Sequence, residues 1–281
     1  MTRSALVLGG GGITGIAWEL GLLHGLARAG VDLTDADLVV GTSAGSVVGA
    51  QVRSGTPLDE LYEAQLAPPT GERAATLSRW TMLRLAPALL RPGSAREKRA
   101  RIGRKALRAN PGDGSDRVAV IRHRVPWEEW PEGDLRVTAV DADTGELVVL
   151  DRDGGVDLVH AVAASCAVPM VWPPVSTGGR RLVDGGVRST ANADLAEGCD
   201  PVVVVAPLPR SLSRATSVAA QLTRTGATRT AVLAPDARAL AAIGKNVLDP
   251  ARRADAARAG LAQAADVADE VRATWSATAR G

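Results

Sequence analysis

Phenylalanine is absent from this 281-residue chain, tyrosine occurs once, and the aromatic share is only 2%. A core made without phenylalanine must be assembled mainly from Ala, Val, Leu and Ile, and few rings remain on which nucleobases could stack. An excess of one charge is also lacking. A formal net charge of +2 gives no basic footprint, so no nucleic-acid partner is expected. Two cysteines, Cys166 and Cys199, make no disulfide framework. No apolar run approaches the roughly 18 residues of a membrane span. The opening run Ala5–Leu8 meets glycines too soon for a signal-peptide core. These absences read as a cytoplasmic protein. What is present, 46% hydrophobic and 23% charged residues, excludes a disordered chain and a coiled-coil rod.

Hydrophobic patterning supplies the organisation. Residues 4–8 are predicted as a buried strand. Ile16, Leu20, Leu23 and Ala27 share one face and predict a helix over 15–29, with Gly30 placed to end it. Residues 37–40 predict a second strand, which runs into Gly41-Thr42-Ser43-Ala44-Gly45 and a second helix over 47–52. Strand, glycine loop and helix, given twice, indicate a parallel α/β sheet. Residues 58–110 read as helical, broken at Pro68-Pro69, Pro87 and Pro92 and strongly basic over 91–108, and a polar loop follows at 110–116. Segments 135–140 and 146–150 alternate as a hairpin around Asp143-Thr144-Gly145. A short helix is expected at 157–165, strands at 180–183 and 202–206, and Ala-rich helix over most of the remainder. With no repeat and no dividing linker, the expectation is one α/β domain over 1–281. It would have a mostly parallel central sheet flanked by helices, a helical insertion or lid at 58–110 and a C-terminal helical extension at 211–281.

Two loops carry the chemistry. Gly9-Gly10-Gly11-Gly12-Ile13-Thr14-Gly15 follows a strand and opens a helix, where backbone N–H groups can face an anion. Gly10, Gly12 and Gly15 also fit the dinucleotide fingerprint. That fingerprint needs an acid at the tip of the second strand, and here the strand ends Val39-Val40-Gly41-Thr42-Ser43. The other reading is an oxyanion hole, in which fixed N–H donors stabilise the charge that develops on a carbonyl oxygen. A plain strand-to-helix turn needs fewer than four consecutive glycines. Gly41-x-Ser43-x-Gly45 fits the nucleophile elbow, in the strand-to-helix context that the elbow requires. A serine helix cap has the same local pattern.

The base for such a serine is the harder question. His24, His123 and His160 are the three histidines. The first lies inside a predicted helix, the second between two arginines, and the third is followed by about 120 residues without another histidine. The elbow also comes too early for the strand order of an α/β-hydrolase. Asp184-Gly185-Gly186, at the end of a short strand, is the alternative, although Asp-Gly turns are common on surfaces.

Taken in order, Gly10–Gly15, Gly41–Gly45 and Asp184–Gly186 resemble the three motifs of patatin-like phospholipases. Ala163–Pro169 and Trp172–Val175 resemble the segment ahead of that family's aspartate. The resemblance spans about residues 4–208 and is weakest in the middle. It implies a patatin-like α/β domain with a Ser–Asp dyad, Ser43 as nucleophile and Asp184 as base. It further implies an oxyanion hole from Gly10, Gly11 and Gly12 with the Ala44 N–H. Gly15, Gly41, Gly45, Gly185 and Gly186 are the motif glycines. The implied activity is hydrolysis of carboxylic esters of phospholipids, lysophospholipids or glycerides through an acyl-enzyme, with a lipid or ester as partner and with no metal or cofactor. One position departs: many bacterial relatives carry Arg or Lys where this chain has Thr14, which removes a fixed positive charge near the site.

Trp80, Met82, Leu83, Leu85, Leu89 and Leu90 precede the basic run. They read either as a lid or interfacial helix that makes peripheral contact with anionic lipid, or as a core-facing helix followed by a solvated one. Cys166 is expected to be a small buried residue. Asp141, Asp143, Asp151 and Asp153 are read as hairpin solvation and not as a metal site. Two other functions stand beside the hydrolase: a catalytically silent lipid-binding or regulatory module, and a dinucleotide-binding domain. Oligomeric state is left open.

Overall fold

The computed structural model describes residues 2–68, 79–208 and 213–275, with backbone alone for 79–84. The chain runs β1 (Ala5–Leu8), α1 (Gly12–Arg28), β2 (Leu38–Thr42), α2 (Ala44–Arg53), α3 (Leu58–Leu66), α4 (Arg79–Leu90), α5 (Ala95–Ala109) and α6 (Ser115–Arg122). It continues with β3 (Asp134–Asp141), β4 (Leu147–Leu150), α7 (Leu158–Ser165), β5 (Val175–Thr177), β6 (Arg180–Asp184), β7 (Val202–Val205), α8 (Val218–Thr225), β8 (Thr230–Leu233), α9 (Ala237–Ile243) and α10 (Arg253–Trp275).

The strands form one eight-stranded sheet in the order β5-β6-β3-β2-β1-β7-β8, with β4 paired to β3. β1, β2, β3, β7 and β8 are parallel. β4, β5 and β6 join antiparallel. The fold is therefore the α/β class expected from the sequence. β1 and β7 are wholly buried because a parallel strand in mid-sheet is covered on both faces. Alternate side chains serve the two faces. Leu6 and Leu8 pack with Trp18, Val47, Val48 and Ala161, under α1, α2 and α7. Ala5 and Val7 pack with Val202, Val204, Val218 and Leu222, under α8.

The region read as a C-terminal helical extension contains more than helices. β8 extends the sheet, with Val202 opposite Thr230 and Val205 opposite Leu233. Four residues with alternating exposure at a sheet edge, in an Ala/Thr-rich setting, carry too little pattern to be recognised. α10 lies directly on α1. A Cβ at Gly260 would fall 2.2 Å from the Trp18 carbonyl oxygen, so the two helix backbones touch where only glycine fits. The buried Trp18 indole donates to Gln263 Oε1 at 3.1 Å across the same contact. The sequence pattern likewise predicts neither α6 nor β5.

Within the segment read as an insertion or lid, Leu85 and Ala88 pack with Ile102 of α5, against Leu89, Met170 and Val187. Leu90 stays 82% exposed. The side chains of Trp80, Met82 and Leu83 lie outside the described residues. Part of the basic run serves local structure: Arg99 donates to Gly145 O, Arg104 to Asp143 O, and Arg101 to the carbonyls of Arg91 and Pro92. Among the described residues no helix is long and apolar enough to cross a membrane.

Candidate active site

β1 and β2 are parallel neighbours, so the loops at their C-terminal ends meet, as ligand-binding loops do in open α/β sheets. Ser43 joins β2 to α2 with φ 52° and ψ −115°, an unusual conformation for a residue with a side chain. Side chains help to hold its peptide groups. The Ser43 N–H donates to Ser165 Oγ at 2.8 Å, and the Ser43 carbonyl accepts from the Ser46 hydroxyl at 2.6 Å and from the Cys166 thiol at 3.2 Å. The C-terminal end of α7 thus grips the serine peptide on both sides. Gly45 passes directly over β1. Its N–H donates to Gly9 O at 2.9 Å, and a Cβ there would fall 2.1 Å from Leu8 O.

Asp184 ends β6, opposite Ala139 of β3. Its backbone N–H donates to Ala167 O at 3.0 Å, and its Oδ1 accepts from the Gly186 N–H at 2.7 Å. The carboxyl is buried, and the Ser43 side chain is near enough to act on it. Burial pushes the Asp184 pKa up to about 6, and the Ser43 side chain, the Gly186 N–H and the nearby Arg117 charge oppose the rise. The structure thus brings together the early serine and the late aspartate singled out in the sequence.

The glycine loop divides its N–H groups. Gly10 donates to Thr190 O at 2.7 Å. It is therefore not a free donor, contrary to its expected place in the donor set, because the loop backbone is pinned to the bend at Thr190. The N–H groups of Gly11, Gly12 and Ala44 make no hydrogen bond among the described residues. A Cβ on Gly10 would lie 3.5 Å from Ser43 Cβ, so the bare backbone keeps space open over the hydroxyl. Gly15 donates to Gly11 O at 2.9 Å and continues α1. Thr14, at the departing position, is fully buried and donates from both N–H and hydroxyl to the carbonyl of Val247, a residue of the cavity wall.

A cavity of about 410 Å³ opens over these groups, lined by Ser43, Asp184, Gly10–Gly12, Trp172, Arg117 and apolar side chains that include Leu85 and Leu89. No histidine lines it. His24 is buried against Tyr62, ring centroids 4.7 Å apart, and His160 pairs with Asp157 at 2.7 Å. Cys166 is buried, and that burial pushes its thiol up, away from nucleophilic use. Asp141 accepts the N–H groups of Asp143 and Thr144 in the hairpin turn, and Asp143 pairs with Arg181.

The sequence matches the family described as Patatin-like phospholipase over residues 6–197. The chain belongs to the patatin-like phospholipase family. Curated relatives of this patatin-like chain include uncharacterized NTE family proteins of Mycobacterium bovis and of two strains of Mycobacterium tuberculosis. Each is 33% identical over 188 residues, which is 66% of this chain and 43% of the relative. The chain thus spans less than half the length of those relatives. Among solved structures, VipD from Legionella pneumophila superposes with a TM-score of 0.49 at 14% identity, covering 96% of this chain and 67% of that one. The type III effector protein ExoU superposes with a TM-score of 0.43 at 18% identity, covering 97% of this chain and 53% of that one.

Sequence reasoning missed three members of this patatin-like site. Ser165 was visible only as part of an Ala/Ser stretch. Asn192 is fully buried and fixes the surrounding turns, yet nothing in Ser189-Thr190-Ala191-Asn192 marks it. Arg117 sits on α6, a helix whose pattern did not stand out.

Proposed function

We propose that the chain is a serine acyl hydrolase that cleaves carboxylic esters of lipids. Ser43 is the nucleophile and Asp184 its base. The observation that carries the reading is the Ser43 side chain beside the buried Asp184 carboxyl, in one cavity that the unpaired N–H groups of Gly11, Gly12 and Ala44 also edge.

Asp184 takes the Ser43 proton as Oγ attacks the ester carbonyl. The tetrahedral oxygen anion is received by the N–H groups of Gly11, Gly12 and Ala44, where each donor is worth about 3 kcal/mol in well-studied hydrolases. The alkoxide forms at the N-terminus of α2, whose dipole favours negative charge there. Collapse expels the alcohol, which takes the proton from Asp184 and leaves an acyl-serine. Water, deprotonated by Asp184, then releases the acid and restores Ser43. A carboxylate is a weak base toward an alcohol. A pKa near 6 narrows the mismatch while keeping the group ionised at neutral pH.

The apolar cavity wall suits an acyl chain, and the geometry favours turnover over a silent binding module, since silent binding needs neither the strained elbow nor the free donors. Wild type and Ser43→Ala assayed on a panel of acyl esters test the proposal. Hydrolysis by the wild type that vanishes in the variant supports it, and equal hydrolysis by both defeats it.

A further inference from the structure

Arg117 is a buried charged side chain with no carboxylate in an ion pair with it among the described residues. It is 8% exposed, its buried Nε has no hydrogen-bond partner, and it forms no ion pair among the described residues. Its guanidinium carbon stands 4.7 Å from the centre of the Trp172 ring. Beyond that stacking, the Cys166 thiol and the Asp184 charge are near enough to act on it. It lines the same cavity as Ser43 and Asp184. Arg188, another cation in the cavity wall, is already held by Asp194 and Asn192. A guanidinium cannot shed its proton to escape burial, so desolvating it without a carboxylate partner is costly unless an anion arrives.

We propose that Arg117 is an anion-binding, specificity-determining residue. It would receive the phosphate of an acyl ester whose scissile carbonyl lies at Ser43, so that the preferred substrates are phosphate-bearing lipids such as lysophosphatidate. This inference rests on the acyl-hydrolase reading and goes beyond it. Arg117, delivered from α6, supplies the cavity with a cation that no carboxylate pairs among the described residues. The planar fork suits two phosphate oxygens, and the Trp172 face fixes its plane. Neutral glycerides would leave the guanidinium buried and unpaired in the complex, which is a basis for discrimination.

The test has two arms. In the first, wild type, Arg117→Lys and Arg117→Gln are assayed on lysophosphatidate and on the monoacylglycerol of the same acyl chain. The wild type is expected to favour the phosphate ester. Arg117→Gln is expected to lower the ratio of the two kcat/KM values by at least roughly tenfold, chiefly through KM. Arg117→Lys is expected to keep most of the preference. Equal losses on both esters, or an acid limb of the pH profile that moves while the ratio stays fixed, would mean that Arg117 only supports Asp184, and would overturn the proposal. Fluorophosphonate labelling of Ser43 in each variant shows that the site is still folded.

The second arm needs no turnover. Ser43→Ala is titrated with decyl phosphate, decanol and inorganic phosphate, alone and combined with Arg117→Gln. Tighter binding of decyl phosphate than of either other probe, lost with Arg117, supports the proposal. Binding of inorganic phosphate as tight as decyl phosphate points to a free-phosphate site and overturns the lipid assignment. Arg117-dependent binding of decyl phosphate, with no ester cleaved by the wild type, would defeat the hydrolase reading and leave the anion site standing. Ester hydrolysis without phosphate preference would do the reverse.

Discussion

Asn192 donates from Nδ2 to the Thr42 hydroxyl at 3.1 Å, one residue ahead of Ser43. The same nitrogen lies 3.4 Å from the carbonyl of Gly185, one residue after Asp184, and 2.9 Å from Ser189 O. Arg188 fixes the orientation of the amide by donating to Asn192 Oδ1 at 2.7 Å. One fully buried side chain therefore sets the distance between the two strand ends that present the serine and the aspartate.

Asn192→Ala would leave the Thr42 and Thr138 hydroxyls and the Ser189 carbonyl short of a buried donor. Unsatisfied groups of that kind cost about 1–3 kcal/mol each. The expected outcome is a lower melting temperature together with a kcat reduced far more than KM is changed, because the dyad spacing relaxes while the cavity wall stays. Steady-state kinetics and a thermal melt on the same preparation check both effects.

Asp184→Asn should separate stability from activity. The folded-state pKa of about 6 lies above the ordinary 3.8. Stability from the protonated group is fully present below 3.8 and is lost as pH rises through about 6. Above that, the buried ionised carboxylate costs on the order of 3 kcal/mol at 1.36 kcal/mol per unit. The neutral amide escapes most of this and can still accept from the Gly186 N–H. The variant is expected to be inactive, to melt a few degrees higher than wild type at pH 8 and to lose that advantage at pH 4. A lower melting temperature at pH 8 would count against the burial argument.

Glu19, on α1, provides a second titration. It is fully buried, and neither carboxyl oxygen has a hydrogen-bond partner among the described residues. The Gly9 N–H faces it but donates to Val205 O at 2.9 Å. Burial raises the Glu19 pKa well above the usual carboxylate range. Its protonated form therefore contributes stability at low pH that is lost as pH rises above the ordinary value toward the folded one. Glu19→Gln stays neutral throughout. Thermal melts from pH 5 to 8 should fall less steeply for the variant than for the wild type.

Gly45→Ala tests the close approach of α2 to β1. A methyl group 2.1 Å from Leu8 O leaves room only by moving the elbow, since the obstacle is backbone. The expected result is loss of soluble folded protein, or a destabilisation above roughly 3 kcal/mol, read by chemical denaturation. Gly55→Ala, where a Cβ meets nothing within 4 Å but φ is +80°, should cost only the backbone strain of about 1–2 kcal/mol.

The sequence made some of this legible and hid the rest for physical reasons. β1, the glycine loop, α1, β2 and the serine elbow follow one another within 53 residues, each with its own local signal. Asp184 was readable because an aspartate at a strand end is followed by two glycines. Asn192, Ser165 and Arg117 act through contacts with residues far along the chain, and such contacts leave no local pattern. Gly10 shows the converse. Its motif implied a donor, but where its N–H points depends on Thr190, which no spacing reveals. β8 was hidden because an edge strand of four residues needs β7 to define it.

In the proposed mechanism a carboxylate, without histidine, activates Ser43. The rate of fluorophosphonate labelling at Ser43 as a function of pH tests it most directly. The wild type should label faster as pH rises through about 6, levelling above it, with Asp184→Asn slow and flat over the same range. Asp184→Asn labelling at the wild-type rate with the same pH dependence would contradict the claim.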